Sequence, residues 1–237
     1  MKKLLSLFIV LLIFATAGYL LYTQAPTEET VVEEDLPLGG PAEVSAADTV
    51  DMTTLRNASL ENSNYTVVVY IDPQDAGSRE YVDTVRAAAQ EYEETVAYAI
   101  KHFPIHIHPT ARDEAGALEC AGQQDKFYEY MDALFEASTA EEAIPEETIT
   151  TVAEAQELDL NTFAICRDEE HFHEDVRDDA LEAMSLGATG VPFSVIVDDS
   201  GVVLQRIEGV ISQSALSLEI QNTALINDVV ETAIENE

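Results

Sequence analysis

Residues 66–71 read TVVVYI, six uncharged residues of which five are β-branched. Such a run fits a strand buried on both faces of a sheet, where side chains pointing either way meet apolar neighbours. After a turn over residues 72–77, the segment 79–94 carries apolar side chains at Tyr81, Val82, Val85, Ala88, Ala89 and Tyr92, with acids between them. That is the spacing of an amphipathic helix. Residues 95–100 (TVAYAI) form a second strand. Strand, helix and strand within about 35 residues make a βαβ unit, and the fold class is α/β.

Residues 113–138 read as one long helical stretch with Leu118, Phe127, Met131, Leu134 and Phe135 on one side. Pro145 opens another helix, where its missing N–H does no harm. Asn161 is placed to cap a short helix containing Phe163 and Cys166. Residues 171–186 supply one more, stopped by Gly187. Beyond Pro192, the runs FSVIV (193–197) and VVLQRI (202–207) flank a four-residue turn with a glycine, the signature of a hairpin. A final helix covers residues 215 to about 234. The order is βαβ, a helical block, then ββα, with no internal repeat.

Charge separates the possible partners. The chain has 46 acidic and 11 basic residues, a formal net charge of −35. A surface of that sign repels nucleic acid, whose recognition needs clustered Lys and Arg. The acids are spread from Glu28 to Glu237 rather than gathered in a block. That spread fits a solvated surface suited to high external salt, where screening removes self-repulsion.

The first residues read as an export signal. Lys2 and Lys3 precede an uncharged apolar run from residue 4 to about 22, long enough to cross ~30 Å of hydrocarbon as a helix. Basic residues before the run and acids after it put the domain on the extracytoplasmic side. Ala15-Thr16-Ala17 has the form of a cleavage site, so a membrane anchor over residues 1–23 competes with a cleaved signal and a secreted product. Residues 24–50, with Pro26, Pro37, Gly39, Gly40 and Pro41 among acids, form a tether. Residues 51–237 are the folded domain.

Several pieces of that domain carry a resemblance. The stretch from His102-Phe103-Pro104 through His108-Pro109 to Glu119-Cys120-Ala121-Gly122-Gln123-Gln124-Asp125-Lys126-Phe127 resembles the first half of the helical insert in DsbA-like disulfide oxidoreductases. Phe163 and Cys166 resemble a later element of that insert, and Gly190-Val191-Pro192-Phe193 resembles the family's cis-proline loop. The resemblance covers roughly residues 60 to 220. It implies a thioredoxin-like fold (βαβ plus ββα) with a helical insert at about 110–187, preceded here by the N-terminal transmembrane helix.

One piece departs from the family. Where the family has Cys-x-x-Cys at the start of the first helix, this chain has Asp75-Ala76-Gly77-Ser78. Thiol–disulfide exchange needs a thiolate of depressed pKa and a second thiol to resolve the mixed disulfide; a carboxylate and a hydroxyl supply neither. Asp75 reads as a helix cap, with binding of a partner's amide or cation as the alternative. Ser78 lacks a nucleophile-elbow sequence, and no His is tied to it by a motif. Pro192, by the resemblance, is cis and faces the first helix. The backbone of Val191 is then free to pair with an extended peptide.

Cys120 and Cys166 are the only cysteines. In an exported chain an even count points to a disulfide; free buried thiols and a redox-active pair are the alternatives. His106 with His108, and His171 with His173, could each share a face, but nothing in the spacing brings four ligands together, and no metal or cofactor is expected. Asn57 and Asn64 head glycosylation sequons. The function these readings favour is a redox-inactive binding module for exported polypeptide or a membrane-complex subunit. An oxidoreductase working through Cys120 and Cys166 or a partner's thiols, and a purely structural scaffold, are the alternatives.

Overall fold

The computed structural model describes residues 49–235 apart from 53–54, 56–62, 93–94 and 169–171. The expected anchor, most of the tether, Asn57 and His171 lie outside the described residues. Among the described residues, no helix is long and apolar enough to cross a membrane.

Strand β1 (Tyr65–Ile71) is buried along its whole length. Its side chains alternate: Val67, Val69 and Ile71 join one apolar cluster, and Val68 and Tyr70 join another on the opposite face. Burying a valine fully on either side stabilises the fold by about 1.5–3 kcal/mol, so the double-sided run belongs at the centre of the sheet. It lies there. β2 (Val96–His102) runs parallel to β1, with Tyr65 opposite Val96 and Ile71 opposite His102. On the other side β3 (Phe193–Asp198) pairs antiparallel, and β4 (Val203–Glu208) follows it antiparallel, giving the order β2-β1-β3-β4.

Helix α1 (Ala76–Gln90) crosses from β1 to β2 and buries Tyr81, Val82, Val85, Ala88 and Ala89. It starts three residues before the expected position, because Asp75 caps it. The insert between β2 and β3 comprises α2 (Ala111–Gly122), α3 (Phe127–Ala137), α4 (Glu146–Ala155), α5 (Leu160–Asp168) and α6 (Phe172–Ser185). The last helix, α7 (Gln213–Glu235), packs beside α1 and brings Leu216 and Ile220 into the first cluster. Ala183 and Leu186 from the α6 end cover the opposite face of the sheet.

The details correct the sequence reading at three places. The single helical stretch over residues 113–138 is two helices, parted at Gln123–Lys126, where Asp125 takes a left-handed backbone (φ 59°). The cap of α5 is Asp159 rather than Asn161: Asp159 Oδ1 accepts the Thr162 N–H at 2.7 Å, and Asn161 lies inside the first turn. Val50, assigned above to the tether, is 2% exposed within the second cluster. Its N–H donates to the Gly201 carbonyl at 2.9 Å, and Thr49 bridges to Val202. Gly201 has φ +86°, and a Cβ there would stand 2.3 Å from the Val50 carbonyl oxygen, so this contact demands glycine.

Candidate functional site

The sharp turn from β1 into α1 puts a series of polar groups at one end of the sheet. Asp72, fully buried, closes the strand. Its Oδ1 accepts the Gln74 N–H at 2.8 Å, and its Oδ2 accepts the Ile105 N–H at 2.8 Å and sits 3.1 Å from Nδ1 of His108. Asp75 has an extended backbone, and its carboxylate accepts the Ser78 N–H at 2.5 Å. It is therefore a helix cap, satisfying one of the orphan donors of the first turn. Ser78 is buried, and its Oγ accepts the Asp72 N–H at 3.3 Å. A buried hydroxyl so engaged is closed to use as a nucleophile.

A second carboxylate reaches the same helix end. Glu141 lies in the loop before α4 in a left-handed conformation (φ 67°), unusual for a residue with a side chain. Its N–H donates to the Gln74 carbonyl at 2.6 Å. Its Oε1 accepts the Ala76 N–H at 3.0 Å, and its Oε2 lies 3.3 Å from Nε2 of His108. The Ala76 N–H and the His108 contact hold the Glu141 carboxyl below the usual carboxylate range. Burial pulls His108 down, but the hydrogen bond and charge of Asp72, then those of Glu141, outweigh it and raise its pKa. His108 thus joins the buried Asp72 to the exposed Glu141.

Below this layer Gln74 donates from Nε2 to Thr110 Oγ1 at 2.7 Å and to Glu114 Oε1 at 3.0 Å. Glu114 is fully buried; its Oε1 also accepts the Ile144 N–H at 2.9 Å, and burial raises its pKa. Loops from before α2 and before α4 are thereby tied to the α1 N-terminus. In place of a dithiol, the site has a helix end whose Ala76 and Ser78 N–H groups are occupied by the chain's own carboxylates.

The other wall is the loop before β3. The Val191–Pro192 peptide bond is cis. A Cβ placed on Gly77 would stand 3.5 Å from Cδ of Pro192, 3.3 Å from Cγ2 of Val210 and 3.2 Å from the Asp75 carboxylate. The structure therefore brings Asp75, Ala76, Gly77 and Ser78 beside Pro192. The Pro192 carbonyl is engaged by the Gly209 N–H at 2.9 Å. Val191 is half-buried and Val210 is 44% exposed.

Cys120 of α2 and Cys166 of α5 form a disulfide with Cα atoms 5.8 Å apart. Both are buried, and they join two helices of the insert. His106 and His108 do not share a face as the spacing allowed: His108 is buried at the site, while His106 is exposed. His102 is fully buried, with Nε2 2.9 Å from Glu119 Oε1. Among the described residues no three His, Cys, Asp or Glu side chains are placed to hold a metal ion. Asn64 is exposed, but Thr66 of its sequon is buried. Sequence reasoning missed Glu141 altogether. It noted His108 without its role, although the His108-Pro109 pair was the available signal.

The DSBA-like thioredoxin domain matches residues 96–221, which begins at β2, past the Asp75–Ser78 segment. No curated protein matches. Among solved structures, a thioredoxin-like oxidoreductase from Silicibacter pomeroyi DSS-3 is similar with a TM-score of 0.61 and 20% identity, over 74% of this chain and 98% of that one. Pseudomonas aeruginosa DsbA2 gives 0.55 and 23%, over 65% and 85%. BdbD from Bacillus subtilis gives 0.59 and 17%, over 74% and 93%. At these identities the structures establish a shared thioredoxin-like fold, and the domain match covers just over half of the 237 residues. This chain belongs to the family of DSBA-like thioredoxin domains.

Proposed function

We propose that this chain is an extracytoplasmic, membrane-anchored member of its family that has given up dithiol chemistry and keeps the groove beside Pro192 to bind extended or unfolded polypeptide. The observation that carries the reading is a helix end without a dithiol beside the Val191–Pro192 loop. Asp75 and Ser78 stand where thiols are needed and are spent on capping and on the Asp72 N–H, while cis-Pro192 still packs against Gly77. Val210, exposed at the rim, and Ile107, 63% exposed in the loop that holds Asp72, offer apolar surface to a passing segment. Such a segment would add to the Val191 backbone by strand pairing. The anchor rests on Lys2, Lys3 and the apolar run after them. The family's oxidoreductase reaction is the second reading. It would run through Cys120 and Cys166, whose residues are 1% and 4% exposed, or through a partner's thiols.

Fluorescence anisotropy with a labelled extended peptide tests the reading, with insulin reduction assayed on the same preparation. Saturable binding that is weakened by Val210→Asp, without insulin reduction, is expected. Insulin reduction at the rate of an active family member overturns it. So does the absence of peptide binding when the protein co-purifies as a fixed subunit of a membrane complex.

A further inference from the structure

We propose that Glu141 is a pH-controlled latch over the α1 N-terminus, held shut by protonated His108 and released when His108 loses its proton. The geometry has three parts. Glu141 is the one group shared between the helix end, through the Ala76 N–H at 3.0 Å, and His108, through Nε2 at 3.3 Å. His108 faces a carboxylate on each ring nitrogen, Asp72 at Nδ1 (3.1 Å) and Glu141 at Nε2. The two carboxylates differ in what else holds them. Asp72 is fully buried and accepts two backbone N–H groups, whereas the Glu141 side chain is 57% exposed.

An imidazolium carries a proton on both nitrogens and stands as a cation between the two carboxylates. A neutral imidazole keeps one N–H. The other tautomer would set the Nδ1 lone pair 3.1 Å from the fully buried Asp72 carboxylate, which cannot turn away to water, so the remaining proton stays on Nδ1. The Nε2 lone pair then faces the Glu141 carboxylate, and the contact turns repulsive. Water is available to Glu141 and not to Asp72; Glu141 therefore swings out and gives up the Ala76 N–H. The freed donor lies at the positive end of α1, beside Gly77 and Pro192, where an incoming polypeptide carbonyl can accept it. Four groups bear on the switch: Asp72 at the β1 end, Glu141 before α4, and, acting on the same carboxylates, Arg79 of α1 and Glu114 of α2.

The sign is fixed by these contacts. His108 is raised above its ordinary value near 6.5 and Glu141 is lowered. The latch is shut between the Glu141 transition, below which its carboxylate is protonated, and the His108 transition, and it is open above the latter. The effect on binding rests on the groove being a polypeptide site; the latch itself does not.

The test follows the Ala76 amide and the His108 ring by NMR in the detergent-solubilised full chain across that pH range, in wild type and in Glu141→Gln. Glu141 is exposed, so this variant leaves the buried network in place. In wild type the Ala76 amide should titrate at the same midpoint as the ring, and in Glu141→Gln it should lose that step while the ring still titrates. An Ala76 amide that stays still through the His108 transition, or that titrates unchanged in the variant, overturns the latch. Affinity for an uncharged extended peptide should rise severalfold above the midpoint in wild type and not in the variant. Equal affinity on both sides overturns the regulatory role. A latch that titrates in a protein that binds no peptide at any pH sinks the groove reading alone.

Discussion

Gly77 lies beside Pro192, and a methyl group on Gly77 would stand 3.5 Å from the proline ring, an ordinary contact distance. The start of the first helix and the cis-proline loop are therefore neighbours, and no thiol is there. Asp75→Cys with Ser78→Cys should place a thiol at the helix end with a pKa below the ordinary value of about 8.5. Glu141 works against this, since a carboxylate at the Ala76 N–H disfavours a neighbouring thiolate. Adding Glu141→Gln should thus lower the thiol pKa further. Loss of the Asp75 cap should cost about 1 kcal/mol. Thiolate absorbance against pH and insulin reduction, measured on wild type, double and triple variants, check the order. Equal thiol pKa values in the double and triple variants count against the role given to Glu141.

Lys101 is 4% exposed and lies between two carboxylates, Asp179 at 3.1 Å and Glu182, which also accepts the Tyr70 hydroxyl at 2.7 Å. This cluster fastens α6 to the face of β1 and β2. Lys101→Met leaves the buried Asp179 and the partly buried Glu182 without their cation, and should destabilise the domain by about 3–5 kcal/mol. Arg177→Met breaks an exposed pair with Asp178 and should change stability by no more than about 1 kcal/mol. Urea denaturation of the two variants gives the comparison, and equal losses would mean that the cluster carries no special weight.

Cutting the Cys120–Cys166 bond opens a loop of 46 residues, worth about 4 kcal/mol in unfolded-state entropy. Because both cysteines are buried, dithiothreitol should reduce the bond slowly in the native protein and rapidly once denaturant is added. Non-reducing peptide mapping over time measures both rates. Rapid reduction of the native protein would reopen a redox role for this pair.

A net charge of −35 should make stability depend on salt. The screening length falls from ~10 Å at 0.1 M to ~3 Å at 1 M. The melting temperature should climb with sodium chloride over that range. A flat or falling curve would remove salt adaptation as the reason for the acidic surface.

Much of the fold was legible in the sequence because local pattern and burial agree there. The run TVVVYI could be placed in the middle of a sheet from its own residues, and its two faces do pack against different clusters. The break between α2 and α3 was harder to read. Its left-handed residue is Asp125 rather than a glycine, although Gly122 at the end of α2 was a usable stop signal. The degenerate motif was visible at residues 75–78, but its occupant was not. Glu141 reaches Ala76 across 65 residues, and in a chain with 46 acids no local pattern sets one glutamate apart. The same holds for Lys101 of β2, whose partners come from α6.

The bridge between Thr49 and Val202 fixes where the described chain enters the sheet. Val202 donates its N–H to Asp198 Oδ1 at 2.9 Å, at the far end of β3 from Pro192. Six residues of strand, about 20 Å at ~3.3 Å per residue, separate the two. A biosensor surface coupled at Thr49 would therefore hold the domain by the end of β3 opposite the Pro192 loop, and leave that loop facing away from the surface.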